Sequence, residues 1–499
     1  MKLAGAASAG ALGSLAGCTG GTNDDGNTEN TDNTESNNAD TDTNAGDGGQ
    51  QESVTVTYWS GKAAETPKLK QYFKKGMKTF EEQNSKINVD MTVLAWDQLN
   101  QKYITTMQSG TNPPDLASAG TYGLEMFQNG KVAELSSYME GDPDLPEKWT
   151  PAMQEATEYQ GKQWAAGIGG LNTTVFGLRS DIFRDAAGIQ NPEKELKTWT
   201  QMRRALDKIK KNTDSHAYEV TGVQSDVEAY WGNARTSYTG GTDPWIDVEN
   251  KGSTDDPHVK PGNAPRTDGM IKNNIDLGAT YSTKKHPSRG DEGVIPLFVK
   301  GDVASFGYSL SVKSIKALDP SFKFGWDGQA YALAAPKLDP NYGEEFGIPE
   351  LAGKEGQHGG HSWTLEGQLC VTKSSKVKEA AYKLAKFRNT SKDFGLPLYV
   401  DPELAQSVPA YKPLLQAIQQ SKYKDMRTQP LNKQISLLEE YGDNYRTTGA
   451  KWDIPGTNTI RWDNIGGTMA KAYSGQIKRD KAPQRMGSVI QKTINSSSS

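Results

Sequence analysis

The sequence contains little cysteine and no apolar stretch that is long enough to cross a membrane. Cys18 and Cys370 are its two cysteines among 499 residues. No disulfide framework can therefore be built, and the stability of the fold must come from packing. The apolar stretch from Leu3 to Gly17 is shorter than the ~20 residues that a bilayer span needs. It does not predict a membrane helix.

Other absences argue against whole classes of protein. The chain has no Gly-x-Ser-x-Gly, His-Glu-x-x-His or Gly-x4-Gly-Lys-Ser/Thr motif, which would indicate a serine hydrolase, a zinc protease or a nucleotide-binding loop. It also has no internal repeats, which a structural surface protein or adhesin would more often show. A globular protein with two or three domains is expected at this length.

The amino-terminal segment has the composition of a secretory signal at residues 1–17. Its last residues, Leu15-Ala16-Gly17-Cys18, resemble the lipobox of secreted lipoproteins. The resemblance implies cleavage before Cys18, a lipid on its sulfur, and anchoring of the protein to the outer face of the cytoplasmic membrane. An unmodified signal is the alternative. Only Met1-Lys2 precede the apolar stretch, so general and twin-arginine export both stay open.

Residues 18–52 are predicted to be a disordered acidic tether. Residues 19–52 carry nine acidic side chains, no basic ones and almost no apolar ones, so folding could not offset the loss of chain entropy. The rest of the mature chain has 55 basic and 52 acidic residues, a charge near +3. This balance argues against nucleic acid as a partner, which would favour a concentrated basic face.

The body begins with alternating strands and helices. Ser53–Ser60 is a β-branched and aromatic run that predicts a strand. Apolar and polar residues alternate over Ile87–Val93, which predicts the next strand. Thr66-Pro67 starts a helix between them, and Asp97 is expected to cap a second helix. The pattern predicts an α/β fold with a doubly wound parallel sheet, which binds ligands at the carboxyl ends of its strands. The first helix presents one apolar face: Leu69, Tyr72, Phe73, Met77 and Phe80.

Several short stretches, in the same order along about 330 residues, resemble the sugar-binding, maltose-binding-protein-like class of ABC-transporter solute-binding proteins. They are Tyr58–Ser60, Trp96–Leu99, Ser109–Asp115, Gly161–Gly167, Leu178–Phe183, Thr198-Trp199, Phe298–Ala304 and Lys373–Phe387. The resemblance implies two doubly wound α/β lobes of the periplasmic-binding-protein type II, or Venus flytrap, fold, with a hinge and an interlobe cleft.

The lobe boundaries follow from the same resemblance. Residues 53–167 plus 361–393 are assigned to lobe one, and residues 168–360 plus 394–499 to lobe two. The polar stretch from Thr242 to Arg289 departs from the family pattern and is predicted to be an insertion or a long loop. The stretch beyond Tyr399 is longer than the family core.

A sugar-binding cleft needs aromatic faces for pyranose rings and planar polar groups for hydroxyls. The chain supplies 11 Trp and 20 Tyr. Trp149 and Trp199, at predicted helix starts, are expected to pack in the core. Positions after strands and in loops are the expected ligand contacts: Trp59, Ser60, Gly61, Trp96, Asp97, Asp115, Thr121, Tyr122, Trp231, Trp245, Phe306, Tyr308, Gly360, His361 and Trp363.

The sequence thus predicts a monomeric, lipid-anchored receptor that binds a carbohydrate and delivers it to ABC permease subunits in the membrane. No catalytic residue, cofactor or metal is expected. His358 and His361 could suggest a metal site, but three or four ligands are usual and a polar hinge loop is preferred. The alternative is a secreted glycoside hydrolase, which requires two carboxylates about 5–9.5 Å apart.

Overall fold

The structure is a computed structural model. It describes residues 53–140, 142, 145, 147–167, 170–173, 175–223, 238, 243, 245–247, 258–307, 310–356, 362–363, 368–405, 407–441, 454 and 456–497. The strands are β1 (Val54–Ser60), β2 (Ile87–Val93), β3 (Leu116–Ser118), β4 (Glu158–Tyr159), β5 (Lys162–Gln163), β6 (Gly170–Thr173), β7 (Val175–Arg179), β8 (Ile246–Asp247), β9 (His258–Val259), β10 (Ser305–Phe306), β11 (Ala330–Ala334), β12 (Ser362–Trp363), β13 (Leu369–Val371) and β14 (Val408–Pro409).

The α-helices are distributed along the whole described chain. They are α1 (Pro67–Gln83), α2 (Trp96–Ser109), α3 (Gly120–Gln128), α4 (Ser136–Met139), α5 (Pro151–Thr157), α6 (Ser180–Ala187), α7 (Pro192–Glu195), α8 (Trp199–Asn212), α9 (Pro265–Tyr281), α10 (Asp291–Lys300), α11 (Val312–Leu318), α12 (Tyr342–Glu345), α13 (Lys378–Thr390), α14 (Lys392–Val400), α15 (Lys412–Ile418), α16 (Gln429–Tyr441), α17 (Gly467–Tyr473) and α18 (Ala482–Ser497). A π-helix spans Thr459–Gly466, and 3-10 helices span Lys62–Ala64, His286–Ser288, Pro349–Leu351, Ser421–Met426 and Arg479–Lys481.

Lobe one is built on a four-stranded sheet in the order β13-β3-β1-β2. Strands β1, β2 and β3 run parallel, and β13 returns antiparallel to β3. Both faces of the sheet are covered: Tyr58 and Leu116 pack in the main core of this lobe, whereas Trp59 and Ala117 pack in a smaller cluster on the other side. Burial on both faces is what a parallel sheet requires, so the predicted doubly wound organisation is confirmed here.

Lobe two is built on a sheet in the order β10-β7-β11, in which the strands pair antiparallel. Phe176 and Leu178 of β7 point into the large core of this lobe, whereas Val175 packs in a cluster on the opposite face. A segment at His216–Glu219 adds parallel bridges to Val303 and Phe306. The sheet is therefore sandwiched between helices, as in lobe one.

Two features join the lobes into the one compact unit formed by Glu52–Ser499. The first is the small sheet β12-β6-β14, whose central strand β6 lies directly before β7. The second is α16: Leu431 and Ile435 pack in the core of lobe one, while Leu437 packs in the second-lobe cluster that contains Val175. One helix thus contacts the interior of both lobes.

Helix starts follow the sequence signals. Thr66 is the N-cap of α1, and its hydroxyl accepts a hydrogen bond from the Leu69 backbone N–H at 3.1 Å. Thr198 and Gln201 form a reciprocal capping box at α8, which satisfies two backbone donors that would otherwise have no partner. Trp199 follows this cap and is buried, as expected. For α2, however, Asp97 is the second helical residue and Ala95 is the N-cap.

Two stretches pack differently from the expectation. Phe394, Leu398 and Tyr399, which were assigned to lobe two, pack in the same core as Tyr58 of β1. The predicted loop at 242–289 contains the 17-residue helix α9. Pro265 is its first residue, and its apolar side chains fill the core of lobe two: Met270, Ile271, Ile275, Leu277 and Tyr281. The remaining lobe boundaries stay predictions.

The carboxyl-terminal stretch is part of lobe two. Its buried apolar side chains join the same core as Phe176 of β7 and Trp199 of α8, and they come from the π-helix, α17 and α18: Ile460, Ile465, Met469, Ala472, Tyr473, Ala482, Met486, Ile490 and Ile494. Among the described residues, no helix combines the length and the apolar character that crossing a bilayer requires.

Candidate ligand-binding site

The carboxyl ends of β1 and β2 bring Gly61 and Trp96 into direct contact. Because the two strands are parallel, the residues that follow them lie at the same edge of the sheet. A Cβ atom built on Gly61 would lie 2.5 Å from Cε3 of Trp96, well inside van der Waals contact. Glycine at this position therefore lets the half-buried indole lie on the backbone after β1. The sequence predicted both residues for the site.

Glu65 fixes the indole nitrogen of Trp96. Trp96 Nε1 donates a hydrogen bond to Glu65 Oε1 at 2.9 Å. The same carboxylate pairs with Lys62 Nζ at 3.2 Å and with Nζ of Lys313, which comes from α11 of lobe two. Burial raises the pKa of Glu65, but the charges of Lys313 and Lys62 and their hydrogen bonds outweigh it and lower the pKa to about 2. The carboxylate is charged at any physiological pH.

Tyr122, which follows β3, lies within electrostatic range of charged residues of lobe two. Burial raises the pKa of its hydroxyl, as do the nearby carboxylates of Asp463 and Glu125, whereas Arg461 opposes the shift. One turn away, Asn458 Nδ2 donates to Glu125 Oε2 at 2.7 Å. The carboxyl edge of the first-lobe sheet therefore meets the segment Asn458–Asp463 of lobe two.

This segment includes the π-helix, a rare element that is often found at functional sites. Within it, the guanidinium carbon of Arg461 lies 5.0 Å from the ring centroid of Trp462. Trp462 Nε1 is buried and has no hydrogen-bond partner among the described residues. A buried N–H group normally has a partner, because leaving it unpaired costs ~1–3 kcal/mol. The indole is therefore suited to donate to a polar ligand.

Four predicted site residues have structural roles instead. Trp59 is buried in the cluster behind the sheet, with Lys102 Nζ 4.4 Å from its ring centroid. Ser60 is buried, and its hydroxyl accepts from the Ala63 backbone N–H at 3.3 Å. Trp245 and Phe306 are fully buried in the interior of lobe two. Large apolar rings in such positions contribute packing rather than a ligand surface.

Asp115 lies at the wrong end of its strand. It precedes β3, whereas the Gly61–Trp96 contact lies at the carboxyl edge of the same sheet. Its carboxylate accepts hydrogen bonds from the Thr57 backbone N–H at 2.9 Å, from Thr57 Oγ1 at 2.8 Å and from Ser375 Oγ at 2.6 Å. These bonds tie β3 to β1 and to the chain before α13, so the expected ligand contact is replaced by a structural one.

The other predicted residues are described in part or not at all. Asp97 lies in the first turn of α2, and Thr121 lies in the first turn of α3. Trp363 pairs with Asn172 between β12 and β6. Trp231, Tyr308, Gly360 and His361 lie outside the described residues.

The prediction missed the residues that connect the two lobes. These residues interact with segments that are distant in sequence, so they become evident only in the folded structure: Glu65, Lys313, Glu125, Asn458, Arg461 and Asp463. A tryptophan flanked by Arg461 and Asp463 in the long carboxyl-terminal stretch was the one available signal. Among the described residues, no group of three or more His, Cys, Asp and Glu side chains is placed to hold a metal ion.

The family of bacterial extracellular solute-binding proteins matches residues 62–392 of this sequence. The chain belongs to this family. The solute-binding protein is also similar to two relatives, from Brucella abortus (strain 2308) and Brucella suis biovar 1 (strain 1330), that are named as binding proteins. Each is 27% identical over 337 residues, which are 67% of this chain and 71% of the relative.

Solved structures share the fold of this solute-binding protein. The GacH receptor of Streptomyces glaucescens, described unliganded and with acarbose, has a TM-score of 0.64 at 19% identity and covers 89% of this chain and 99% of its own. A solute-binding protein from Thermotoga lettingae with bound α-D-tagatose has a TM-score of 0.67 at 20% identity, with 89% and 100% covered. At this identity the likeness establishes the fold: two α/β lobes of the type II periplasmic-binding class. Nothing in the family assignment supports the glycoside hydrolase alternative.

Proposed function

We propose that this solute-binding protein captures a sugar or an oligosaccharide between its two lobes and delivers it, chemically unchanged, to the permease of an ABC importer. The observation that carries the proposal is Trp462, whose buried Nε1 lacks a partner among the described residues, in a segment whose Asn458 donates a 2.7 Å hydrogen bond to Glu125 of the other lobe. Sugars offer both hydroxyl acceptors for such an N–H group and C–H faces for aromatic rings.

Trp96 supports the same proposal from lobe one. Its indole is held by Gly61 on one side and by the hydrogen bond to Glu65 at its nitrogen. A ring that is already oriented loses little entropy when a ligand packs on it, so it contributes more to affinity than a mobile ring does. Similar structures carry tagatose, cycloalternan, mannitol and maltose, which makes these compounds reasonable first probes.

The lipid on Cys18, the location at the outer face of the cytoplasmic membrane and the monomeric state belong to the proposal as well. The lipid and the location are supported by the lipobox-like stretch and the acidic tether of the sequence. A receptor on a tether stays close to its permease while its two lobes remain free to move. Transport by this route needs no catalytic group in the receptor.

Calorimetry of the purified chain with acarbose, tagatose, cycloalternan, mannitol and maltose tests the proposal. We expect saturable binding of at least one compound and recovery of that compound intact. Trp462→Phe keeps the ring but removes the N–H group, and it should raise Kd by about 3- to 10-fold, the value of one hydrogen bond. Trp326→Phe, beside Arg184 and Tyr331 on the outer part of lobe two, is the matched control. Hydrolysis of a bound glycoside would instead favour the enzyme alternative.

A further inference from the structure

One ion pair crosses from lobe one to lobe two at the candidate site. Glu65 follows the 3-10 helix Lys62–Ala64 at the end of β1, and Lys313 lies in the first turn of α11. The two residues are 248 positions apart in the sequence. Their side chains are only 16% and 11% exposed, so salt and water screen this pair much less than a surface pair.

Both partners are held in place by their own lobes. Val312 and Ile315, on either side of Lys313, are both buried, and Ile315 packs in the second-lobe cluster that contains Val175. The Ser311 and Ser314 hydroxyls are hydrogen-bonded to each other at 2.8 Å. On the other lobe, Lys62 Nζ lies 3.2 Å from Glu65. Glu65 therefore has a cation beside it from its own lobe, and lobe two contributes a second cation.

We propose that Glu65 and Lys313 form a latch that stabilises the closed arrangement of the two lobes and couples it to the orientation of Trp96. Rotation of two lobes about a hinge separates groups that meet across the cleft, so the proposal assigns this contact to the closed arrangement. Closure then places the ammonium group of Lys313 against the Glu65 carboxylate, which also accepts the hydrogen bond from Trp96 Nε1. The latch goes beyond ligand capture, and it depends on the two-lobed fold and not on the identity of the ligand.

The latch predicts that the equilibrium between open and closed molecules of the ligand-free protein depends on Glu65 and Lys313. Removing the charge of either partner should lower the ratio of closed to open molecules. The expected decrease is about 5- to 150-fold, the range that typical coupling free energies produce. The coupling is mutual, so removal of Lys313 should also loosen Trp96. Since Glu65→Gln keeps a side-chain oxygen for Trp96 Nε1, this variant separates the ionic contribution from the hydrogen bond.

Distances between spin labels on the two lobes test the proposal without any ligand. Labels at Lys74→Cys in α1 and Leu318→Cys at the end of α11 report the separation, in a chain that carries Cys18→Ser. Cys370 is buried, and burial raises the pKa of its thiol, so it should stay unlabelled. The variants are Glu65→Gln, Lys313→Gln and the double variant. Lys316→Gln, on the same helix and bonded to the Pro320 carbonyl, is the matched control.

The expected result is a longer mean separation for Glu65→Gln and for Lys313→Gln, no further increase in the double variant, and a wild-type distribution for Lys316→Gln. Tryptophan fluorescence should change in Lys313→Gln, because Lys313 and Trp96 share the carboxylate of Glu65. Unchanged distances in both single variants would overturn the latch, as would an equal effect of Lys316→Gln. Because no sugar is present, either outcome is independent of the test of ligand binding.

Discussion

Gln429 caps the open edge of β11 by pairing with the backbone of Ala332. Its Nε2 donates to the Ala332 carbonyl at 2.9 Å, and its Oε1 accepts from the Ala332 N–H at 2.7 Å. A side-chain amide thus substitutes for the next strand of the sheet. Since Gln429 is also the first residue of α16, the second-lobe sheet is attached at this point to the helix that contacts both lobes.

Gln429→Ala should destabilise the protein through this contact. The variant loses two hydrogen bonds and leaves two partly buried backbone groups without partners, which predicts a loss of ~1–3 kcal/mol in the free energy of unfolding. Urea unfolding followed by circular dichroism measures it. Gln419→Ala removes an exposed bond to Glu439 and should stay within ~0.5 kcal/mol of wild type. Equal effects of the two variants would contradict the assigned role of Gln429.

Gly61→Ala should disturb the site through Trp96. The added methyl group would lie 2.5 Å from the indole, so the ring must move and the 2.9 Å bond to Glu65 should weaken or break. We expect a change in tryptophan fluorescence and a weaker affinity for whichever sugar binds, with little change in the melting temperature.

The double variant Gly61→Ala with Trp96→Leu is the internal control. Without the indole there is no clash, so Gly61→Ala should have almost no further effect on binding in the Trp96→Leu background. A full additional loss of affinity in that background would show that the glycine acts by another route.

His286 should make the stability depend on pH in the mildly acidic range. Burial lowers the pKa of this histidine below its ordinary value of 6.5, although its hydrogen bond with the Thr283 carbonyl and the charge of Glu219 partly oppose this. Below pH 6.5 the unfolded chain binds a proton that the folded chain does not yet bind. The free energy of unfolding should therefore fall as the pH drops from there toward the lowered pKa, by at most ~1.4 kcal/mol per pH unit.

Unfolding by urea between pH 7.5 and 5 tests this dependence. His286→Gln should flatten the dependence of the free energy of unfolding on pH by the contribution of one proton. A wild-type slope in His286→Gln would exclude His286 as the source of the dependence.

Cys18→Ser should release the protein from the membrane. If Cys18 carries the lipid, the intact mass of the mature protein exceeds that of its polypeptide, and the protein fractionates with membranes. The variant should appear in the soluble extracellular fraction with its sugar affinity unchanged, because the site lies entirely within residues 52–499. Membrane association of Cys18→Ser would contradict lipid anchoring at this residue.

Local features of the fold could be predicted from the sequence because they depend on neighbouring residues. The Thr66 cap, the apolar face of α1 and the alternation of β2 all appear in the structure as expected. The helix α9 was not predicted, since it begins within a stretch rich in Gly, Asp, Pro and Asn, and its apolar face becomes evident only beyond Pro265.

The sequence allowed a prediction of the candidate site for the residues of lobe one, but not for those of lobe two. Position after a strand led to the prediction of Gly61, Trp96 and Tyr122, and the structure places all three after strands of the first-lobe sheet, because the carboxyl ends of parallel strands share an edge. The same rule could not distinguish an inward from an outward side chain, which is why buried Trp59 was included. It also could not identify Lys313, since its partner Glu65 is brought to it only by the packing of the two lobes, and it could not identify Trp462, which does not follow a strand.

The core of lobe two has a consequence for biogenesis. Phe176 packs in the same cluster as Met486 and Ile494 of α18, so residues at both ends of a span of more than 300 positions are needed to complete it. Until α18 has been synthesised and exported, Phe176 and its neighbours lack part of their packing. The newly made chain should therefore depend on chaperones or on the export machinery for much of its translation, and truncation before α18 should yield an aggregation-prone product.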